Sequence, residues 1–261
     1  MNRAMQSLAA ALVLSALSVS SVLADPAVST INGKLSAGAG EVGSNDFVYG
    51  AGSLTLPIGD SVGAQIDGLG GSIHGIGIWG LGGHLFWRDP DSGMYGLYLD
   101  TLHADVLGGI QVTKIGAEAE WFAGDWTVSA VTGWEGGDVI DRFWDRLDVT
   151  YYATDDFSVS LGHRYTLGTN AGVLSAEYQF GDSGFSLFAT GRLGDNNSSG
   201  GWGGIKYAIG GPGVSLRDRA RHDDPMSDLM ETVTAAGKDV YQTITPPQCD
   251  PNNSPLGCPV P

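Results

Sequence analysis

Seven charged residues stand out, because each occupies the polar place in a segment whose every second residue is apolar. Glu118 and Glu120 alternate with Ala117, Ala119 and Trp121, Asp148 with Leu147 and Val149, and Glu177 with Ala176 and Tyr178. Arg164 continues the series Ser158, Ser160 and Gly162, Arg192 continues Ser186 and Thr190, and Lys206 holds the same parity in the next segment. Successive side chains of a strand point to opposite faces, so these seven share the face turned away from the apolar side. Around a narrow aqueous space, opposed signs set up a transverse field that biases which solutes pass. Paired with one another, the same groups fill the space and leave no conduit.

Other chemistries find less support. A lipid hydrolase needs a Ser–His pair with an orienting polar group. His163 lies on the apolar face, yet two places on that face carries Tyr165, and Ser158 and Ser160 face the other way. His74, His84 and His103 stand alone among glycine and apolar residues. Asp89-Pro90-Asp91-Ser92-Gly93 begins like a calcium loop and Asp100 stands at its twelfth place, but the intervening ligands are missing, so a tight turn is expected. Asn196-Asn197-Ser198-Ser199 reads as a polar exposed loop. No phosphate loop, dinucleotide fingerprint or metal-binding histidine array occurs, and no cofactor or metal is expected. With 13 basic against 29 acidic residues, the net charge of −16 argues against a nucleic-acid partner.

The elements that position these residues follow a change of rhythm at residue 25. Arg3, the apolar run from Leu8 to Leu23 and Val22-Leu23-Ala24 read as a signal peptide, residues 1–24, cleaved before Asp25. No later stretch is long and apolar enough for a membrane-spanning helix. Alternation instead predicts strands over 31–40, 46–57, 61–70, 73–87, 94–103, 108–122, 125–134, 146–154, 157–165, 171–180, 184–193 and 201–209. A bulge or slip is expected near Gly82-Gly83. Connections after even-numbered strands are tight, as in Ala123-Gly124-Asp125 and Thr154-Asp155-Asp156; those after odd-numbered strands read as mostly longer or richer in glycine, as over 135–146. Phe86, Trp87, Tyr95, Trp121, Phe122, Trp126, Tyr151, Phe157, Phe180 and Phe185 flank the tight turns, and Trp134, Trp144, Tyr165 and Trp202 lie near the opposite ends. Two such girdles suit the two headgroup levels of a bilayer.

On this pattern, residues 31–209 resemble the bacterial outer-membrane β-barrel proteins, porin-like group. The resemblance implies an all-β, closed, antiparallel, up-and-down transmembrane barrel of about twelve strands over 25–209, located in the outer membrane. It also implies a porin-like channel for small solutes or a structural surface protein, without catalysis, with outer-membrane lipids and the barrel-assembly machinery as partners. Barrels of this group usually end at an aromatic residue that the assembly machinery reads. This chain ends at Pro261, so a signal around Tyr207 and Ile209 would serve instead. Two alternatives stay open: an exported soluble β-sandwich of adhesin type, with the aromatics in its core, and a barrel lipid hydrolase.

Residues 210–261 read as a periplasmic tail. Met226, Leu229, Met230, Val233, Val240, Tyr241 and Ile244 recur at helical spacing, which predicts an amphipathic helix over about 225–244, with Asp224 as cap and Pro246-Pro247 as stop. Its apolar stripe closes the periplasmic mouth of the barrel, packs on a periplasmic partner or lies along the membrane; partial fraying is the remaining reading. Arg217, Arg219 and Arg221 either meet anionic headgroups or form a solvated linker. Cys249 and Cys258, in an exported chain, are expected to close a disulfide loop within the tail.

Overall fold

The structure, a computed structural model, describes residues 26–105, 109–210, 213–223, 225 and 227–235. The expected leader, Asp224, the Cys249–Cys258 loop and the part of the expected helix past residue 235 lie outside them.

Twelve strands follow one another: β1 (Asn32–Val42), β2 (Asn45–Pro57), β3 (Val62–Ile73), β4 (Ile76–Asp89), β5 (Gly93–Ala104), β6 (Ile110–Ala123), β7 (Trp126–Gly137), β8 (Arg142–Thr154), β9 (Phe157–Thr166), β10 (Thr169–Gln179), β11 (Phe185–Gly194) and β12 (Gly200–Ile209). Each pairs antiparallel with its neighbours in sequence. β1 pairs with β12 from Gly33↔Ile209 to Val42↔Gly200 and closes the barrel. Closure leaves no strand edge with unpaired backbone groups, which is what a hydrocarbon surrounding demands.

Every expected strand is present, with its ends moved by a few residues. The expected irregularity at Gly82-Gly83 is not there: β3 and β4 pair without interruption through both glycines. A Cβ on Gly83 would meet only a backbone oxygen, at 3.7 Å, so no crowding pushes the ladder out of step. The register shift lies instead at Tyr152/Thr154, between β8 and β9. β4 starts only at Ile76, because His74 (φ 48°) and Gly75 (φ 80°) form the two-residue turn before it. Two positive φ values in succession give the turn whose twist matches a hairpin.

Alternation sorts the side chains. Leu81, Leu85, Leu97, Leu99, Ile115, Leu161, Leu174 and Ile205 are all exposed on the outer surface. Their polar neighbours in sequence point inward. The soluble sandwich is thereby excluded: a sandwich seals its aliphatic faces between two sheets, whereas here they coat the outside of one closed sheet.

Both ends of the barrel's chain lie at one rim, the terminal rim, with connections 58–61, 90–92, 124–125, 155–156 and 180–184. The far rim carries 43–44, 74–75, 105–109, 138–141, 167–168 and 195–199. The expected contrast in length holds only for 105–109, 138–141 and 195–199. Three far-rim connections are two-residue turns, made compact by left-handed residues such as Leu167 (φ 53°) and Gly168 (φ 73°). Loop length therefore does not distinguish the two rims. The girdles also need correction. Tyr95, Trp121, Trp126, Tyr151 and Phe180 face outward at the terminal rim and Trp134 at the far rim, but Phe86, Phe122, Trp144 and Trp202 are buried inside the barrel. Their positions in the alternation place them on the lumen face, where they pack rather than meet headgroups.

Candidate functional site

The lumen is shaped from both chain ends. At the terminal rim, Ala27 N–H donates to the Asp60 carbonyl (2.8 Å), and Val28 packs against Phe86 and Met94. Helix α1 (Leu216–His222) lies across the same rim, its first turn capped by Ser215. The basic cluster here is neither a headgroup contact nor a free linker. Arg217 bridges Asp125 (2.8 Å) and Asp155 (2.7 Å) on two turns. Arg221 donates to the Gly124 carbonyl at 2.7 Å and lies over the Phe122 ring, and Arg219 is buried. These arginines find backbone carbonyls and turn carboxylates within reach, so they clamp the helix to the rim.

From this rim the chain turns into the barrel. Helix α2 (Leu229–Ala235) occupies the far half of the lumen as a plug. It begins at Leu229, later than the expected start near 225, and is described as far as Ala235; residues 236–244 of the expected helix fall outside the described ones. Its apolar side, Leu229 and Val233, packs with Phe47, Tyr49, Leu69, Ile73, Ile78, Leu102 and Trp202. Gly80 leaves room for this: a Cβ there would come within 2.9 Å of Leu229 Cδ2. The polar side carries acids. Asp228 Oδ2 meets Lys114 Nζ at 2.7 Å, and its Oδ1 lies 3.5 Å from Arg146 Nη1. Glu231 forms an ion pair with Arg164 Nε at 2.8 Å and accepts from Arg192 Nη1 at 3.0 Å. Burial by itself pushes the Glu231 carboxyl upward, but the guanidiniums of Arg164, Arg146 and Arg192 bring it down to about 2.

All seven charged residues singled out by alternation turn inward, and the structure draws most of them into ion pairs. Arg164 and Asp148 pair at 2.8 Å, with Arg146 on the other Asp148 oxygen at 2.7 Å. Lys206 and Glu177 pair at 2.5 Å, with Ser186 donating to the same carboxylate. Glu118 pairs with His84. Arg192 faces the plug, and Glu120 lines a small crevice beside Ser129 and Arg146. Alternation also held Lys114 and Arg146 on the lumen side, since they share the parity of Glu118 and Asp148 on their strands, and Asp67, which alternates with Val62, Ala64 and Ile66; the plug acids Asp228 and Glu231 carried no such signal.

His84, which looked isolated in sequence, is the centre of a buried network. Its Nδ1 lies 2.8 Å from Glu118 and its Nε2 2.8 Å from Asp67, a geometry in which an imidazolium donates to both. Gln65 joins Asp67, Thr55 and the Pro225 carbonyl of the tail to it. Tyr98 bonds Asp100 close by, and Lys114 stands 4.5 Å over the Trp144 ring. His103 stacks on Trp79, and His74 is a turn residue. His163 faces outward and meets Asp145 at 3.1 Å. Asp89 closes its own turn by accepting from Ser92 Oγ (2.8 Å) and Asp91 N–H (3.1 Å).

Beside the plug, between β8–β12 and α1, a cavity of about 210 Å³ remains. It is lined by Lys34, Arg146, Arg164 and Lys206 against Asp148 and Glu177. Its size and polar lining give it room for several waters.

No protein-family model and no curated protein matches the chain. Among solved structures, a KdgM porin superposes with a TM-score of 0.55 at 6% identity, over 67% of this chain and 98% of that one. A KdgM porin in complex with disordered oligogalacturonate gives 0.53 at 7% identity over the same shares. At such identities the likeness carries the fold alone: this chain shares with those porins a closed antiparallel β-barrel.

Proposed function

We propose that the protein is an integral outer-membrane channel of porin type for small solutes, with no catalytic role, narrowed in this conformation by its own chain ends. The observation that supports this best is the division of the closed sheet into an aliphatic outside and a charged inside. An outer coat of leucine and isoleucine suits lipid, and a lumen of ion pairs suits water and polar solutes. The terminal rim is the periplasmic one in this reading, and the chain is exported by its leader. Glu118, Glu120, Asp148, Arg164, Glu177, Arg192 and Lys206 set the field a solute crosses. Acids predominate on β3 and β5–β7 (Asp67, Asp100, Glu118, Glu120, Glu135, with Lys114 among them) and bases on β8, β9, β11 and β12 (Arg146, Arg164, Arg192, Lys206, with Asp148 and the Glu177 of β10 among them), so the lumen wall carries both signs on each side. The hydrolase reading is not favoured, because the carboxylate beside His163 has no serine from β9 on the same face.

Planar-bilayer recording of the purified, heat-modifiable protein is the test. Small, discrete conductance steps are expected from the full chain, with reversal potentials that move when Arg164 and Lys206 are neutralised. A folded barrel without steps would reject the channel, and release of folded protein from membranes by carbonate would reject the membrane location.

A further inference from the structure

The plug is held to the charged wall in an unequal way. Arg146, Arg164 and Arg192 come from three strands, and the wall supplies them with Asp148, which bridges Arg146 and Arg164. Lys114 lies in the field of Asp100 and Glu135 as well as Asp228. The plug contributes two further carboxylates, three residues apart, one between Lys114 and Arg146 and the other between Arg164 and Arg192. Withdrawing the plug leaves three guanidiniums and one bridging carboxylate in a confined site. Desolvated charge of that kind must be matched by a counter-charge. The remaining cavity reaches Arg146 and Arg164 directly and adds Lys34 and Lys206 to its basic lining.

We propose that Asp228 and Glu231 are built-in occupants of an anion-binding site in the lumen wall, and that a small solute carrying two or more carboxylates competes for this site and releases the plug. This rests on the channel reading above and names the solute class for it. A ligand shifts a two-state equilibrium only by its difference in affinity for the two states. Here the difference is built in, because Asp228 and Glu231 meet the four cations in the plugged state, whereas in the released one only wall carboxylates such as Asp148 remain to them. The same anion is thus the opener and the solute that the opened lumen attracts.

Single-channel recording on the full chain tests this with citrate as probe, against sodium chloride of equal ionic strength. Citrate is expected to raise the open probability of the wild-type protein. The double variant Asp228→Asn/Glu231→Gln is expected to be open without citrate, its opening equilibrium raised about a hundredfold or more, as a loss of ~3 kcal/mol would produce. It should prefer anions in a salt gradient and no longer respond to citrate. Citrate that blocks wild type or leaves it unchanged overturns the proposal, as does a double variant that stays shut while others conduct or that prefers cations. The wild-type arm decides even if the double variant fails to assemble. If neither protein conducts although both migrate as folded barrels, the channel reading itself fails and takes this inference with it.

Discussion

On the β1–β5 side of the lumen, Leu229 and Val233 sit among Phe47, Tyr49, Ile73, Ile78 and Leu102; on the β6–β11 side, Asp228 and Glu231 sit among Lys114, Arg146, Arg164 and Arg192. The plug is therefore held by shape on one side and by charge on the other. The apolar seat depends on close fit and is indifferent to pH. The charged seat depends on the protonation of two carboxylates and on which other anions are present. A segment held in both ways returns to one position, yet has one side that a solute or proton can loosen.

The largest effect is expected on the charged side. Glu231→Gln leaves two buried guanidiniums without their carboxylate, a loss of about 3–5 kcal/mol in plug docking; channel open time and protease access to the tail measure it. Acid reaches the same group. The Glu231 carboxyl falls from its ordinary value near 4.5 to about 2 when docked between Arg164, Arg146 and Arg192, with Asp228, Lys114 and Asp148 close by. Its folded value is depressed, so its contribution is complete above pH 4.5 and is lost as pH falls towards 2. Conductance set by this group should stay flat from pH 7 to about 5 and rise below it; Glu231→Gln should abolish that rise.

Next comes the apolar seat. Leu229→Ala removes a buried side chain and should cost about 2–5 kcal/mol of docking, unchanged between pH 7 and pH 5. Gly80→Val places a side chain where Leu229 and Leu102 already stand, within about 3 Å of each. Overpacking of about 1–3 kcal/mol is expected, read as earlier tryptic release of the tail. A Leu229→Ala plug that loosens only in acid would erase the distinction between the two sides. The smallest effect belongs to Lys206→Met. Its pair with Glu177 is partly exposed, and about 1 kcal/mol or less should be lost on urea unfolding, while the reversal potential moves towards cations.

Much of this was legible before any tertiary structure. The twelve strands, and the inward direction of Glu118, Glu120, Asp148, Arg164, Glu177, Arg192 and Lys206, follow from a period of two that each segment states for itself. The aromatics misled where parity was set aside: Trp144 and Trp202 lie near strand ends, but their places in the alternation put them inside. Loop lengths misled because Leu167-Gly168 and His74-Gly75 turn the chain in two residues without a strong signal of doing so. His84 was unreadable as a partner of Asp67 and Glu118, which are 17 and 34 residues away in the chain.

By itself, the sequence determined about twelve alternating strands and the two faces of each. These depend on side-chain alternation and on short-range turns, which are local properties. Only the tertiary structure decided where residues 213–223 and 227–235 go and which charges meet. Lys114 reaches Asp228 over 114 positions and Arg192 reaches Glu231 over 39. Such pairings depend on where strands stand around a ring and on how far a tail travels inside it, and neither is encoded in any window of neighbouring residues.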